Sequence, residues 1–226
     1  MPLYNAERFV GESICNILGQ TVGDFELIVI DDASTDSSYD IASRYAAQDA
    51  RIVLMRNDAN HGAAYTRNRG LETARGSFIT FMDADDRCSP ERFARQTAFF
   101  GQHPQIDLCG SYYTMFGPDD AREQKIQDPI THEGIRIQML FGCPFAMSGV
   151  MMRRGAFLRS GVRFRATMAE DYLFWAELSG HMRMANIPEH LSFYRRWENQ
   201  LSTSQLDRQT LSAQAIQRDL LLTTLG

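Results

Sequence analysis

Lysine is nearly missing from this chain. Lys125 is the only one, so of the 23 basic residues all but one are arginine. A Walker-type phosphate loop or a Schiff-base enzyme needs a fixed lysine. Lys125 sits in a polar stretch rather than behind a strand, which also disfavours a phosphoacceptor signalling domain. The opening Pro2-Leu3-Tyr4-Asn5 lacks the glycine-rich loop and lysine of a sugar nucleotidyltransferase. Cysteine is scarce: Cys15, Cys88, Cys109 and Cys143 are scattered, with no C-x-x-C pair. They read as reduced thiols of a cytosolic chain rather than a disulfide frame or a zinc site. His61, His103, His132, His181 and His190 have no metal-ligand spacing. No apolar run approaches the ~20 residues of a membrane span. Net positive charge is also lacking. At −5 the chain has no broad footprint for nucleic acid.

What is present is an ordinary globular mixture, 44% hydrophobic and 23% charged over 226 residues. Residues 7–18 put Val10, Ile14, Ile17 and Leu18 on one helical face. Residues 25–30 form a short, nearly continuous apolar run, the pattern of a strand covered on both faces. Ser34 or Asp36 can cap a helix that carries Ile41, Ala42, Tyr45 and Ala46. Residues 51–55 read as a strand, 63–74 as a helix stopped by Gly76, and 77–82 as a second buried strand. Ser89 and Pro90 together predict a helix start. Strands are expected at 108–116 and 149–152, and helices at 169–178 and 206–222. This alternation predicts an α/β fold with a mixed, mainly parallel sheet and helices on both faces. Ligands in such sheets sit beyond the carboxyl ends of the strands.

Two of the predicted strands run into acid. The first leads to Asp31-Asp32-Ala33-Ser34-Thr35-Asp36, the second to Asp83-Ala84-Asp85-Asp86. Aspartate also supplies ordinary turn and cap oxygens. Adjacent carboxylates repel, however, and a hard divalent cation gives them a reason to coexist.

The ordered set of Pro2-Leu3-Tyr4-Asn5-Ala6-Glu7, Gln20-Thr21, 25–36, Asn60-His61-Gly62, Arg67-Asn68, Ala74-Arg75-Gly76 and Asp83-Ala84-Asp85-Asp86 resembles family 2 glycosyltransferases of the GT-A fold. Ala169-Glu170-Asp171 and Tyr194-Arg195-Arg196 extend the likeness to about residue 205. The resemblance implies one catalytic domain over 1–205, with a nucleotide-sugar half at 1–100 and an acceptor half at 101–205, followed by a terminal helix at 206–226. It implies inverting transfer of a sugar from a uridine-diphosphate donor to a glycan or lipid-linked acceptor. By the same likeness Asp32 accepts a hydrogen bond from uracil. Pro2 and Tyr4 line the base, and Arg67 lies near the base or phosphates. Asp83 contacts ribose and shares a Mn²⁺ or Mg²⁺ ion that Asp85 binds directly. Asp86 is expected to be structural. Asp171 is the expected general base and Glu170 the alternative; Trp175, one turn on, is a candidate for stacking on a sugar or for the core. Arg163, Arg165 and the helix N-terminus are expected to keep Asp171 ionised.

The sequence departs from the family pattern in two places. The family's usual first strand precedes P-x-Y-N, whereas here Met1 stands directly before it, so a missing strand is expected. Relatives often read Tyr-Arg-x-His late in the chain; here the run is Tyr194-Arg195-Arg196-Trp197. An indole donates but does not ligate. A nucleotide-sugar-binding relative without catalysis is therefore the alternative. The resemblance further implies a cytoplasmic protein. A peripheral contact with the inner face of a membrane and a homodimer stay open, through Leu211, Ile216 and Leu220 of the terminal helix.

Overall fold

The computed structural model of the chain describes residues 1–117, 123–197 and 206–225. Along the chain run β1 (Pro2–Leu3), α1 (Val10–Leu18), β2 (Leu27–Asp31), α2 (Ser38–Ala46), β3 (Ile52–Arg56), α3 (Ala63–Thr73), β4 (Phe78–Thr80), β5 (Arg87–Cys88) and α4 (Arg92–Gln102). Then come β6 (Leu108–Phe116), β7 (Gln124–Ile126), α5 (His132–Gln138), β8 (Met151–Arg153), α6 (Arg154–Ser160), α7 (Glu170–Leu178), β9 (Met184–Arg195) and α8 (Leu206–Leu225).

Among the described residues the strands form two sheets. The first, β1-β2-β3, is parallel throughout. The second runs β4-β8-β6-β9-β5, with β7 added on β6. There β6 and β9 pair in parallel, while β4, β5 and β7 each meet an antiparallel neighbour. The pairing is thus mixed, as expected, but divided between two sheets: the first is wholly parallel, and the second joins the long parallel pair β6 and β9 to antiparallel neighbours. Where a missing strand is expected, Pro2 pairs with Ile30 and Leu3 with Asp31. The two-residue β1 still directs Tyr4 and Asn5 toward the ends of its neighbours.

Two apolar clusters hold the layers together. One packs Val10, Ile14 and Ile17 of α1 and Phe93 and Phe100 of α4 against Val29 of β2. The other gathers Phe81, Phe164, Phe174 and Trp175 around α7 and takes in Ile216 of α8. The rings of Phe164 and Phe174 stack at 3.8 Å, while Phe81 meets both edge-on. Burying a side chain of this size contributes ~1.5–3 kcal/mol.

The first turns of two helices differ from the sequence reading for reasons of hydrogen bonding. Residues 7–9 stay outside α1 because Glu7 is spent elsewhere. Its N–H donates to Asp36 Oδ2, and its own Oε2 accepts from Ser37 N at 3.0 Å. Pro90 does not open α4, since its carbonyl instead accepts from Thr21 N. The twelve-residue β9 is obscured in sequence by Pro188 and Glu189, which coincide with a register shift against β6.

Candidate active site

A cleft of about 950 Å³ opens beyond the carboxyl ends of β1, β2 and β4. Pro2, Tyr4, Asp32, Arg67, Asp83, Asp85, Glu170 and Asp171 all line it. These eight residues come from segments spread over most of the chain, so their convergence is a property of the fold and not of one motif. Tyr4 is 48% exposed, so it belongs to the cleft wall and not to the core.

At the nucleotide end, Asn5 and Ala33 both adopt positive φ, 46° and 60°. Asparagine tolerates that region, whereas for alanine it stores strain, and such strain gathers at functional sites. The two turns are tied together. Asn5 N donates to Ser34 Oγ, and Thr35 N donates to Asn5 Oδ1 at 2.9 Å. Asp32, only 3% exposed, is firmly held: its Oδ1 accepts from Asn57 Nδ2 at 2.6 Å and from His61 N at 3.0 Å. Its Oδ2 accepts from Gly62 N at 2.8 Å. Gly62 has φ +84°, where a side chain would be strained. Asp32 therefore orders the 60–62 turn, and with three bonds accepted it retains one position on Oδ2, since a carboxylate has about four acceptor positions.

The acid loop after β4 splits into distinct environments. Arg67 donates from Nη2 to Asp83 Oδ1 at 2.9 Å and from Nη1 to Glu170 Oε1 at 2.6 Å. Arg67 is 8% exposed, and its pKa rises further because the two carboxylates outweigh the desolvation. Asp85 Oδ2 accepts from Trp197 Nε1 at 2.9 Å. Burial, and then the charge of Asp83, push the Asp85 carboxyl up. Asp86 is fully enclosed, takes Ser148 Oγ at 2.6 Å and Arg195 N at 2.9 Å, and is pushed well up by burial and by its acidic neighbours. Ser148 Oγ also accepts from Asp83 N. Asp86 and Ser148 thus brace the loop on which Asp83 and Asp85 stand.

Glu170 and Asp171 begin α7 from the other wall. The Asp171 carboxyl rises to about 6, chiefly through burial and then through Glu170, with Arg67 opposing. Its Oδ1 accepts from Tyr172 N at 2.7 Å. The expected support from Arg163 and Arg165 is not there. Arg163 pairs with Glu72 and Arg165 with Glu177, both away from Asp171. The two arginines stand in the loop between α6 and α7, and Arg67, from across the cleft, is the cation that acts on this carboxylate. Trp175 is fully buried against Phe81, Phe145 and Phe174, so it is core and not a sugar platform.

Sequence reasoning missed two parts of the wall and one brace behind it. Trp197 contributes a donor where only a lost ligand was expected. Ser148 lies in a 3-10 turn with no motif around it. Gln209, Thr210, Ala213 and Gln217 of α8 reach the cleft because α8 lies on α7. In the sequence only Leu211, Ile216 and Leu220 hinted at that docking; Ile216 and Leu220 pack on the core, whereas Leu211 is exposed.

A mixed α/β sheet with an acidic cleft at its strand ends, divided by a buried arginine, is the GT-A arrangement. Residues 1–161 match the family model described as "Glycosyl transferase family 2". An uncharacterised glycosyltransferase of Haemophilus influenzae is 32% identical over 96% of this chain and 70% of its own length. S. aureus TarS, solved in complex with UDP-GlcNAc, superposes with a TM-score of 0.76 at 22% identity, covering 90% of this chain and 59% of that one. The mannosyltransferase PcManGT of Pyrobaculum calidifontis, solved with GDP-Man and Mn²⁺, gives a TM-score of 0.71 at 18% identity, over 94% of this chain and 62% of that one. This chain spans less than two thirds of either solved protein. It belongs to glycosyl transferase family 2.

Proposed function

We propose that this chain moves a sugar, with inversion, from a uridine-diphosphate sugar to a hydroxyl of a glycan or lipid-linked acceptor. One observation carries the reading. Of the two adjacent carboxylates at the start of α7, Glu170 is committed to Arg67, whereas Asp171 faces the cleft with a pKa of about 6. A general base works best with a pKa near the operating pH. Asp171 takes the acceptor's hydroxyl proton as that oxygen attacks the anomeric carbon. The bond from that carbon to the distal phosphate oxygen breaks, and uridine diphosphate leaves.

Asp32 offers its remaining Oδ2 position to the uracil N–H, and Tyr4 and Pro2 flank the base. Asp83 and Asp85 are the residues to hold Mn²⁺ or Mg²⁺. Among the described residues no hydrogen bond occupies Asp83 Oδ2 or Asp85 Oδ1, so each carboxylate retains an oxygen for a cation. No third acid, cysteine or histidine joins them among the described residues. Such an oxygen-only, sparse set suits a cation that keeps waters and phosphate oxygens as its other ligands. The bound ion would neutralise the leaving diphosphate. The solved neighbours with UDP-GlcNAc and with Mn²⁺ agree with this chemistry.

The test is a thermal-shift panel of nucleotides with and without Mn²⁺, followed by donor hydrolysis. A ligand at 100 times its dissociation constant adds ~2.7 kcal/mol of stability. Uridine diphosphate with Mn²⁺ should give the largest shift. Slow, metal-dependent release of uridine diphosphate from a donor marks an enzyme. Tight binding with no turnover of any donor would instead mark a non-catalytic relative.

A further inference from the structure

The end of β9 reaches back over the acid loop at three points. Arg195 N donates to Asp86 Oδ1 at 2.9 Å and Arg195 Nε to the Asp85 carbonyl at 2.6 Å. Trp197 Nε1 donates to Asp85 Oδ2 at 2.9 Å. The first bond grips the Asp86 carboxylate and the second the main chain of the loop. Only the third acts on the Asp85 side chain. Trp197 is itself braced: its ring meets Phe9 at 5.4 Å, and Phe9 lies 4.6 Å beneath the Arg195 guanidinium. That guanidinium is also 4.5 Å from the ring of Phe116. The indole N–H therefore comes from a rigid stack and not from a loose side chain.

We infer that Trp197 is a positioning residue for the cation, holding one oxygen of Asp85 so that the other is presented alone. This rests on the reading of Asp85 as a metal-binding carboxylate. The chemistry follows from the indole. It has one N–H and no lone pair to give, so it cannot enter the coordination sphere. It can occupy Oδ2 and exclude bidentate chelation, which leaves Oδ1 as a single ligand. A small octahedral cation that retains waters and phosphate oxygens takes carboxylates in that mode. Partners of a ligand, one bond removed from the metal, typically alter affinity 10–100-fold. Trp197 thus does from the second layer what a ligating side chain at this position would do from the first.

The experiment measures Mn²⁺ affinity of the full chain in the presence of uridine diphosphate by electron paramagnetic resonance of the free ion. Trp197→Phe keeps a ring against Phe9 and removes the N–H. It should lower Mn²⁺ affinity at least ~10-fold, with the circular dichroism spectrum and metal-free uridine diphosphate binding unchanged. Asp85→Ala serves as the control. If it binds Mn²⁺ as wild type does, the metal reading fails and the inference falls with it. If Asp85→Ala loses Mn²⁺ while Trp197→Phe retains wild-type affinity, the metal reading stands and the positioning role is overturned. A second measurement needs no substitution at Trp197. In protein labelled with 5-fluorotryptophan, the Trp197 resonance should move when Mg²⁺ joins uridine diphosphate, while that of the buried Trp175 stays in place. A Trp197 resonance indifferent to Mg²⁺ overturns the inference.

Discussion

Arg67 Nη1 lies 2.6 Å from Glu170 Oε1, joining two residues 103 positions apart. The same guanidinium holds Asp83, so one side chain ties the acid loop after β4 to the start of α7. A planar fork with fixed donors can hold two carboxylates in set directions, which an ammonium cannot. The pairing also sorts the two acids of α7. Glu170 is occupied by the guanidinium, while Asp171 next to it is left with the field of Glu170, which Arg67 only partly offsets.

Arg67→Gln should therefore do two separable things. It strands two part-buried carboxylates, so chemical denaturation should report a loss of about 2–4 kcal/mol, at the lower side of what breaking a buried ion pair costs. It also removes a cation that lowers the Asp171 pKa. With that pKa pushed further above 6, the acid limb of the rate profile should move to higher pH. An unmoved limb in a folded variant would show that the arginine does not act on Asp171.

Asp85 and Asp86 are neighbours with opposite expectations. Asp85→Ala removes a half-buried carboxylate held by one side chain, and stability should change by less than ~1 kcal/mol. Its metal-dependent binding of uridine diphosphate, read by calorimetry, should disappear. Asp86→Ala removes the acceptor of both Ser148 Oγ and Arg195 N inside the protein. Each buried group left unpaired costs ~1–3 kcal/mol. The melting temperature should fall clearly for Asp86→Ala and hardly at all for Asp85→Ala.

Asp32→Asn tests whether that carboxylate acts only as a reader of the base. Three N–H groups converge on it, from Asn57, His61 and Gly62. An amide must turn its own NH₂ toward at least one of them. We expect a stability loss of about 2 kcal/mol together with weaker nucleotide binding. Weaker binding with full stability would mean that the 60–62 turn does not depend on Asp32.

The long periodic segments and the acid after each buried strand were legible in the sequence. They gave the α/β alternation and, among the site residues, Asp32, Asp83 and Asp85; Pro2, Tyr4, Arg67, Glu170 and Asp171 came from the resemblance to family 2 glycosyltransferases, and all eight meet in one cleft. What stayed hidden was set by contacts between distant segments. Nothing local announces that Ser148 will brace Asp83 and Asp86, or that Arg163 and Arg165 will turn to Glu72 and Glu177. Pro188 hid the middle of β9 because proline is rare within a strand. Trp197 was visible as a departure, but its bond to Asp85 exists only once β9 lies beside the loop.

Asp171→Asn carries the proposed chemistry most directly. The folded carboxyl has a pKa of about 6, above its ordinary value near 3.8. For an acid, a raised folded pKa means that the ionised form is penalised in the folded state. Between about pH 4 and 6 the folded protein binds more protons than the unfolded chain, so this group's contribution to stability falls as pH rises through that window and stays unfavourable above it. At 1.36 kcal/mol per unit the penalty would reach ~3 kcal/mol. The carboxyl lines an open cleft, so about 1–2 kcal/mol is the expected effect. Asparagine keeps the shape and removes the charge. The variant should therefore be more stable than wild type at pH 7.5 by that amount, and the difference should shrink toward pH 4. It should bind uridine diphosphate with Mn²⁺ normally. Sugar transfer should fall at least ~100-fold, since a general base is worth 10²–10⁴ in rate. Wild-type transfer should itself decline below pH 6, as Asp171 takes up its proton. If Asp171→Asn transfers normally while Glu170→Gln is inactive, the neighbouring carboxylate is the base. If both transfer normally, the start of α7 does no proton transfer.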